Sequence, residues 1–368
     1  MTGKVRNYYA AGNTARGFHS LFDSVLEKLD RVYILKGGPG TGKSTLMKKI
    51  GETMSRRGYD IELLHCASDN GSIDGVIVTG LKLGVVDGTA PHVIEPKAPG
   101  AIEEYVNLGA AWDSCKLETH KEAILNLNKQ IEETYQQAYD TFAHALRIYD
   151  EWEKIYIDNL DSVKADNIAL HLIEQCFNEK RLTKQSDVRH MFLGAATPKG
   201  PVDFVQNLTE DMDKRYFIKG RPGTGKSSLF KKIAATAEIR GFDAEVYHCG
   251  FDPNSLDMVL LPELGTAVFD STAPHEHFPN RASDEMIDLY AHAVTPGTDE
   301  KYAAAINDIR KRYSAKMKKA TSDLAQAKKL RDQQEAIYMN AMDFHKLEQI
   351  QKDIQTEIDE FAAKKLNA

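Results

Sequence analysis

The stretch "LKGGPGTGKSTL" occupies residues 35–46 and returns as "IKGRPGTGKSSL" at residues 218–229. Both contain the pattern GxxxxGK[ST], set between a predicted strand and a predicted helix. Glycines let backbone N–H groups converge on phosphate oxygens, and the N-terminus of the following helix adds its dipole. The sequence therefore predicts two phosphate-binding loops (P-loops) with a nucleoside triphosphate as ligand.

The similarity between the two halves extends well beyond these loops. At an offset of 183 positions they align without a gap from about residue 8 to residue 92. His65-Cys66 falls on His248-Cys249, and Thr89-Ala90-Pro91-His92 falls on Thr272-Ala273-Pro274-His275. We interpret this as an internal duplication whose unit is a whole domain, which predicts an internal pseudo-dimer.

Strands that alternate with helices predict an α/β fold with two duplicated P-loop NTPase cores, each built on a parallel, doubly wound sheet. A proline-free segment follows each core, with apolar residues at steps of three and four, as in coiled coils. Each repeat is therefore predicted to carry a long helical hairpin. The predicted domains are core 1 at residues 1–100, helical arm 1 at 101–188, core 2 at 189–283 and helical arm 2 at 284–368.

The loop residues have distinct predicted roles in binding Mg-ATP. Lys43 and Lys226 are expected to reach the β- and γ-phosphates, and Ser44 and Ser227 to ligate Mg²⁺. The predicted ATP-binding residues are Gly37, Gly38, Pro39, Gly40, Thr41, Gly42, Lys43, Ser44 and Thr45 in the first half, and Gly220, Arg221, Pro222, Gly223, Thr224, Gly225, Lys226, Ser227 and Ser228 in the second.

A P-loop needs a second acid to hold the metal, at the end of a neighbouring apolar strand. "LGVVDG" and "TAVFDS" supply Asp87 and Asp270 in matching positions, although an Asp there could also cap a turn. The residues after them are Gly88 and Ser271, so the Glu that activates water in many ATPases is missing. No N-K-x-D guanine-reading motif occurs, which favours ATP over GTP.

Other repeated residues carry weaker predictions. Arg16 and Lys199 match each other, and we expect either to stabilise transition-state charge or to remain a solvated loop cation. His65-Cys66 and His248-Cys249 end a predicted strand. In the first half, Asp69, Asp74 and His92 could join His65 and Cys66 in a transition-metal site. A buried Cys beside a hydrogen-bonded His is the favoured alternative, because no ligand spacing typical of zinc occurs.

Composition and charge indicate which partners and which cellular compartment are expected for this chain. A net charge of -7 argues against a broad electrostatic grip on nucleic acid. No apolar run approaches the roughly 20 residues that a membrane-spanning helix needs, and the N-terminus lacks the apolar segment of a signal peptide. The four cysteines form no CxxC pair. These features predict a cytoplasmic protein.

The tandem loops, the repeated D-[GS]-T-A-P-H element and the helical segments resemble an uncharacterised bacterial family of tandem P-loop ATP-binding proteins, over essentially the full chain. This resemblance implies nucleotide binding and ATPase activity. We predict an ATPase that couples ATP binding or hydrolysis to movement of its helical arms, through which it could bind a protein partner.

Two alternatives remain open at the level of sequence. "VVDGTAPH" resembles the strand-end element of adenylate-kinase-like nucleotide kinases, with His92 near the place of an Arg. This similarity keeps a nucleotide or small-molecule kinase with helical lids as one alternative. A nucleotide-gated interaction protein with negligible turnover is the other.

Overall fold

The computed structural model describes residues 2–274 and 276–366; His275, the sequence counterpart of His92, lies outside the described residues. The strands are β1 Val5–Tyr8, β2 Ala11–Thr14, β3 Gly17–Ser20, β4 Arg31–Lys36, β5 Ile61–His65, β6 Ile73–Val78, β7 Leu83–Asp87, β8 Glu103–Asn107, β9 Val188–Phe192, β10 Gly194–Thr197, β11 Gly200–Asp203, β12 Lys214–Lys219, β13 Ala244–His248, β14 Leu256–Leu261, β15 Thr266–Asp270 and β16 Glu285–Asp288. The helices are α1 Phe22–Leu26, α2 Lys43–Arg56, α3 Ser114–Thr119, α4 Lys121–Ile157, α5 Ser162–Phe177, α6 Val205–Leu208, α7 Lys226–Ile239, α8 Leu289–Ala293, α9 Thr298–Lys301, α10 Ala303–Asn340 and α11 Phe344–Leu366.

Each half contains one six-stranded sheet, and the two sheets share one strand order. The first runs β1-β5-β6-β7-β4-β8 and the second β9-β13-β14-β15-β12-β16. Strand β6 is antiparallel to β5 and β7, as β14 is to β13 and β15, whereas the remaining neighbours are parallel. The α/β class and the duplication are thus confirmed, but the sheets are mixed, and the prediction of parallel sheets is wrong in this respect.

The connection between β5 and β6 explains this difference. It comprises residues 66–72, whereas a parallel crossover needs a dozen or more residues. A short link therefore turns the chain back on itself, and the 3₁₀ turn at Thr79–Leu81 reverses it again into β7. The sequence "IDGVIV" of β6 is buried along its whole length. A strand buried on both faces shows no alternation of polar and apolar residues, so the sequence pattern did not identify this stretch as a strand.

Strand β4 shows how the layers are arranged. Val32 and Ile34 belong to an apolar cluster that also contains residues of the second half, such as Phe217 and Phe269. Tyr33 and Leu35 point to the opposite face and pack with α2 and α11, as expected from the two-residue period of a strand. Both faces of the sheet are therefore covered.

Buried ion pairs join the two halves. Arg6 Nη1 donates to Glu245 Oε1 at 2.7 Å, and Arg189 Nη2 donates to Glu62 Oε2 at 2.8 Å. Both glutamates are buried, and each accepts a further hydrogen bond from a tyrosine hydroxyl. The arginines, like the glutamates, are 183 positions apart, so each half supplies one arginine and one glutamate to the other. This arrangement has the symmetry that the predicted pseudo-dimer requires.

The long helix of each half pairs with the long helix of the other half, and neither folds into a hairpin within its own arm. Helix α4 pairs with α10 in antiparallel fashion: Asn128 meets Gln334 near one end, and Glu151 meets Arg312 near the other. Between these ends, Phe142 and Leu324 are buried in a common cluster. The predicted hairpin within each arm is therefore replaced by a pair formed across the duplication.

Helices α5 and α11, which follow α4 and α10 in the chain, also pack against the core of the other half. Leu172 and Phe177 of α5 pack with the second sheet and α7, whereas Ile354 and Ile358 of α11 pack with the first sheet and α2. Each core is thus covered by a helix from the other half. Strands β8 and β16, which lie just beyond the predicted core boundaries at residues 100 and 283, complete the two sheets.

We expect the Glu245→Gln variant to lose about 3 kcal/mol of unfolding free energy at neutral pH, because Arg6 would lose its closest charged partner and keep only the Glu62 carboxylate, at 3.6 Å. Burial opposes ionisation of Glu245, but Arg6 and Arg189 hold its pKa at about 2, against about 4.3 in the unfolded chain. The stabilisation is therefore present above about pH 4.3 and lost as the pH falls through about 2.

Urea unfolding at a series of pH values checks this prediction. The difference in stability between wild type and Glu245→Gln should shrink across that window. Glu52, which forms an exposed pair with Arg56, provides the matched control, and Glu52→Gln should change stability by no more than about 0.5 kcal/mol. A difference between wild type and Glu245→Gln that stays constant with pH would contradict the assignment.

Candidate functional site

The two glycine-rich loops have the same backbone path. Each follows the strand predicted from sequence, β4 or β12, and leads directly into α2 or α7. Gly40 and Gly42 have φ of 73° each, and Gly223 and Gly225 have φ of 74° and 92°. Residues with a Cβ rarely adopt these left-handed angles. The pattern of glycines is therefore what allows this turn into a helix N-terminus.

The predicted Lys, Ser and Asp converge beside each loop. Lys43 Nζ lies 3.6 Å from Asp87 Oδ2, and Lys226 Nζ lies 3.6 Å from Asp270 Oδ2. This follows from the sheet order, because β4 pairs directly with β7 and aligns Leu35 with Asp87. Burial lowers the pKa of Lys43, an effect that Asp87 opposes.

The predicted metal-ligating serines are held by the antiparallel strand. Ser44 Oγ accepts a hydrogen bond from Ile73 N at 3.0 Å, and Ser227 Oγ accepts one from Leu256 N at 3.0 Å. A hydroxyl and a carboxylate oxygen are ligand types that Mg²⁺ takes. The side-chain oxygens at each loop are therefore of the types that Mg²⁺ takes, and Ser44 with Asp87, or Ser227 with Asp270, are the residues that would hold it.

A second acidic side chain lies next to Asp87, the predicted metal-ligating aspartate of the first half. Asp74 precedes Gly75, which pairs with Val86, so Asp74 on β6 lies beside Asp87 on β7. Burial raises the pKa of Asp74 above the usual range of an aspartate. Asp74 also lies against Cys66 and His92. The sequence suggested this group, but only the antiparallel turn of β6 brings it to the loop.

His65 and Asp69 are turned away from that group. His65 Nε2 lies 2.9 Å from Asn7 Oδ1, and its ring packs against Phe204 at 4.5 Å between centroids. Burial lowers the pKa of His65 to about 4. Asp69 accepts hydrogen bonds within its own turn and lies 3.6 Å from Lys328. The predicted five-residue set is thus reduced to Cys66, Asp74 and His92.

Arg16 and Lys199 lie at the tips of two hairpins that reach the opposite half. Arg16 Nε donates to Asp252 Oδ1 at 2.7 Å, and Thr197 at the other tip accepts from Asn70 Nδ2 at 2.8 Å. Lys199 itself is exposed. Within residues 2–274 and 276–366, neither cation forms a hydrogen bond or ion pair with a glycine-rich loop. Arg16 is thus a contact between the halves, whereas the Lys199 side chain faces solvent.

The first loop lies under the end of a helix from the second half. A Cβ built on Gly40 would come within 2.8 Å of Met339 Cγ and 3.1 Å of the carbonyl oxygen of Glu335, both on α10. A Cβ on Gly38 would lie 3.1 Å from Trp112 and 3.3 Å from Tyr338. The loop and the last turns of α10 are therefore in direct van der Waals contact.

The second loop lies under the end of α4 from the first half. A Cβ built on Gly223 would come within 2.6 Å of the carbonyl oxygen of Glu153 and 3.0 Å of Ile157. Burial raises the pKa of Glu153, an effect that the backbone N–H of Gly223 and the charge of Lys226 oppose. A carboxyl group from the arm thus lies near one of the N–H groups that a phosphate would use.

The helices that cover the two loops, α10 and α4, place different charged side chains beside them. Glu335 and Glu153, like Met339 and Ile157, are 182 positions apart, so α10 and α4 occupy equivalent places. The same offset relates Arg331 to Tyr149. Arg331 lies over the ring of Tyr135 at 5.5 Å, and its charge acts on Lys43 and Asp74. Among the described residues it forms no ion pair with a carboxylate. The helix that covers the first loop therefore carries an arginine that the helix over the second lacks, whereas the second loop itself contains Arg221, paired with Asp299 at 2.9 Å.

Sequence reasoning did not identify Arg331. It lies 288 positions from Lys43, inside a charged helix where an arginine is usually solvated. Its place beside the first loop depends on the crossing of α10 onto the other half. A search for repeated residues could not find it, because its counterpart is Tyr149.

Comparison of the chain with protein-family models, with curated proteins and with solved structures finds no match in any of the three. In the part of the chain that the structure describes, no helix combines the length and apolarity needed to cross a membrane.

We expect Gly223→Ala to destabilise the protein more than Gly225→Ala. Both positions have left-handed backbone, so both variants carry a similar strain of about 1–2 kcal/mol. Only at Gly223 would the new methyl meet α4, whereas a Cβ on Gly225 has nothing within 4 Å. The difference in unfolding free energy should be at least about 1 kcal/mol.

Denaturant unfolding without nucleotide measures this difference, and trypsin cleavage at Lys154 reports whether the end of α4 has lifted. Equal stability of the two variants, with unchanged cleavage, would show that α4 does not rest on the second loop.

Proposed function

We propose that this protein binds Mg-ATP at both glycine-rich loops and hydrolyses it with movement of the long helix pair α4 and α10. The observation that supports the proposal most directly is that each loop lies under the end of a long helix from the other half. A ligand that changes either loop must therefore act on a helix that spans both cores.

The Glu153 carboxylate supplies the physical link between binding and movement. It lies at the Gly223 N–H and near Lys226, the groups that would hold a phosphate. A triphosphate brings several negative charges to the same place. Two anions cannot share these donors, so ATP would displace Glu153 and bias the end of α4 away from the loop.

The residues around each loop have complementary roles in this proposal. The loop N–H groups and Lys43 or Lys226 would bind and orient the phosphates. Mg²⁺, when bound, would neutralise charge on the β- and γ-phosphates. Arg331 would add positive charge to the first site as the γ-phosphoryl group leaves. With Gly88 and Ser271 in place of a water-activating Glu, slow turnover is expected.

Steady-state phosphate release from Mg-ATP tests the proposal. We expect Lys43→Ala or Lys226→Ala alone to lower total release about 100-fold, because the helix pair couples the two sites and each lysine contacts phosphate. Retention of half the activity by each variant would indicate independent sites. Tight ATP binding by wild type without release would reject the ATPase and favour a kinase or a nucleotide-gated interaction protein.

Arg331→Ala should lower phosphate release on the order of 10³-fold with little change in ATP affinity, as removal of a transition-state arginine does. Lys329→Ala, an exposed change on the same turn of α10, is the matched control and should leave turnover unchanged. Equal loss of affinity and turnover in Arg331→Ala would instead show that Arg331 only helps to bind ATP.

A further inference from the structure

Three side chains with different ligand atoms meet in the first half, next to the glycine-rich loop. Cys66 follows β5, Asp74 lies at the start of β6, and His92 follows β7. All three are buried, and one sulfur, one carboxylate oxygen and one imidazole nitrogen lie within 4.8 Å of one another. The rings of Phe18 and Phe22 flank His92 at 5.1 and 5.6 Å. The group is therefore enclosed and close to the predicted Mg²⁺ ligands without including them.

Two polar atoms of this group have no hydrogen-bond partner among the residues that the structure describes. They are Asp74 Oδ2 and His92 Nδ1, both buried, although buried polar groups nearly always form a hydrogen bond. His92 Nε2 lies 3.2 Å from Asp74 Oδ2 but does not form a hydrogen bond with it. Two ligands of a tetrahedral zinc ion, bound at about 2.1 Å, are about 3.4 Å apart. The pair thus already has the spacing of neighbouring ligands.

The duplication supplies an independent observation. The second half repeats the three residue types at the same spacing as Cys249, Asp257 and His275, whereas Ala67 and Ser68 become Gly250 and Phe251. Cys249 and Asp257 again lie together, since burial and the charge of Asp257 raise the pKa of the Cys249 thiol. His275 is outside the described residues. Both copies of the domain thus retain the three residue types while residues between them differ.

We propose that Cys66, Asp74 and His92 form a zinc site. A thiolate and an imidazole suit Zn²⁺, whereas Mg²⁺ takes oxygen ligands almost exclusively. Three protein ligands leave a fourth position open for water or another ligand. Zinc bound here ties β5, β6 and the segment after β7 together, beside the Ile73 N–H that holds Ser44. The inference goes beyond the proposed ATPase activity and does not depend on it.

Metal analysis of the full-length protein, purified without chelators or a histidine tag, is the first test. Wild type should contain at least one equivalent of zinc, and Cys66→Ser should contain one equivalent less. Cys115→Ser is the matched control, because Cys115 is exposed and lies outside the group. Its zinc content should equal that of wild type. Full zinc content in Cys66→Ser would overturn the assignment.

Cobalt exchange keeps the proposal testable if Cys66→Ser folds poorly. After dialysis against a chelator, wild type titrated with Co²⁺ alone should develop a thiolate-to-cobalt charge-transfer band, which the near-isosteric Asp74→Asn should weaken. Lys43→Ala should retain both zinc and the band, which separates this site from nucleotide binding. Less than one equivalent of zinc in wild type, together with no such band, would show that the three residues form a metal-free buried cluster.

Discussion

The buried arginine–glutamate ion pairs between the two halves are the interaction on which the rest of the structure depends. Arg6 pairs with Glu245 and Arg189 with Glu62, and both glutamates are buried. A buried carboxylate is costly without a close charged partner, and for each glutamate the closest arginine comes from the other half, while the arginine of its own half lies 3.6 to 3.8 Å away. The ion pairs thereby select one relative position of the two cores, and that position sets where the arms can go.

In that position, each long helix reaches the loop of the other half, so each site contains residues of both halves. Every loop is formed by one half and covered by the long helix of the other, while α5 and α11 cover the apolar surface of the opposite core. The helix above each loop also packs along the helix that covers the other loop.

Duplication has preserved the loops but not their surroundings. Lys43 and Lys226 make the same contact with an aspartate, and Ser44 and Ser227 accept the same backbone hydrogen bond. The covering helices differ, since Arg331 has Tyr149 as its counterpart. The two loops therefore share their lysine, serine and aspartate contacts but differ in the charged side chains around them.

The sequence by itself determined the duplication, the α/β class, the two loops and the aspartates that follow their neighbouring strands. These features are local: glycine spacing dictates the loop backbone, and an apolar run ending in Asp87 or Asp270 marks a strand end. The antiparallel turn of β6, the pairing of α4 with α10 and the position of Arg331 were decided only by tertiary structure. A fully buried strand shows no alternation of polar and apolar residues by which the sequence could identify it. The spacing of apolar residues in a helix shows which face is apolar, but not which other helix packs against that face. The partner is chosen by the relative position of the cores, which depends on contacts between residues nearly 200 positions apart, such as Arg6 with Glu245.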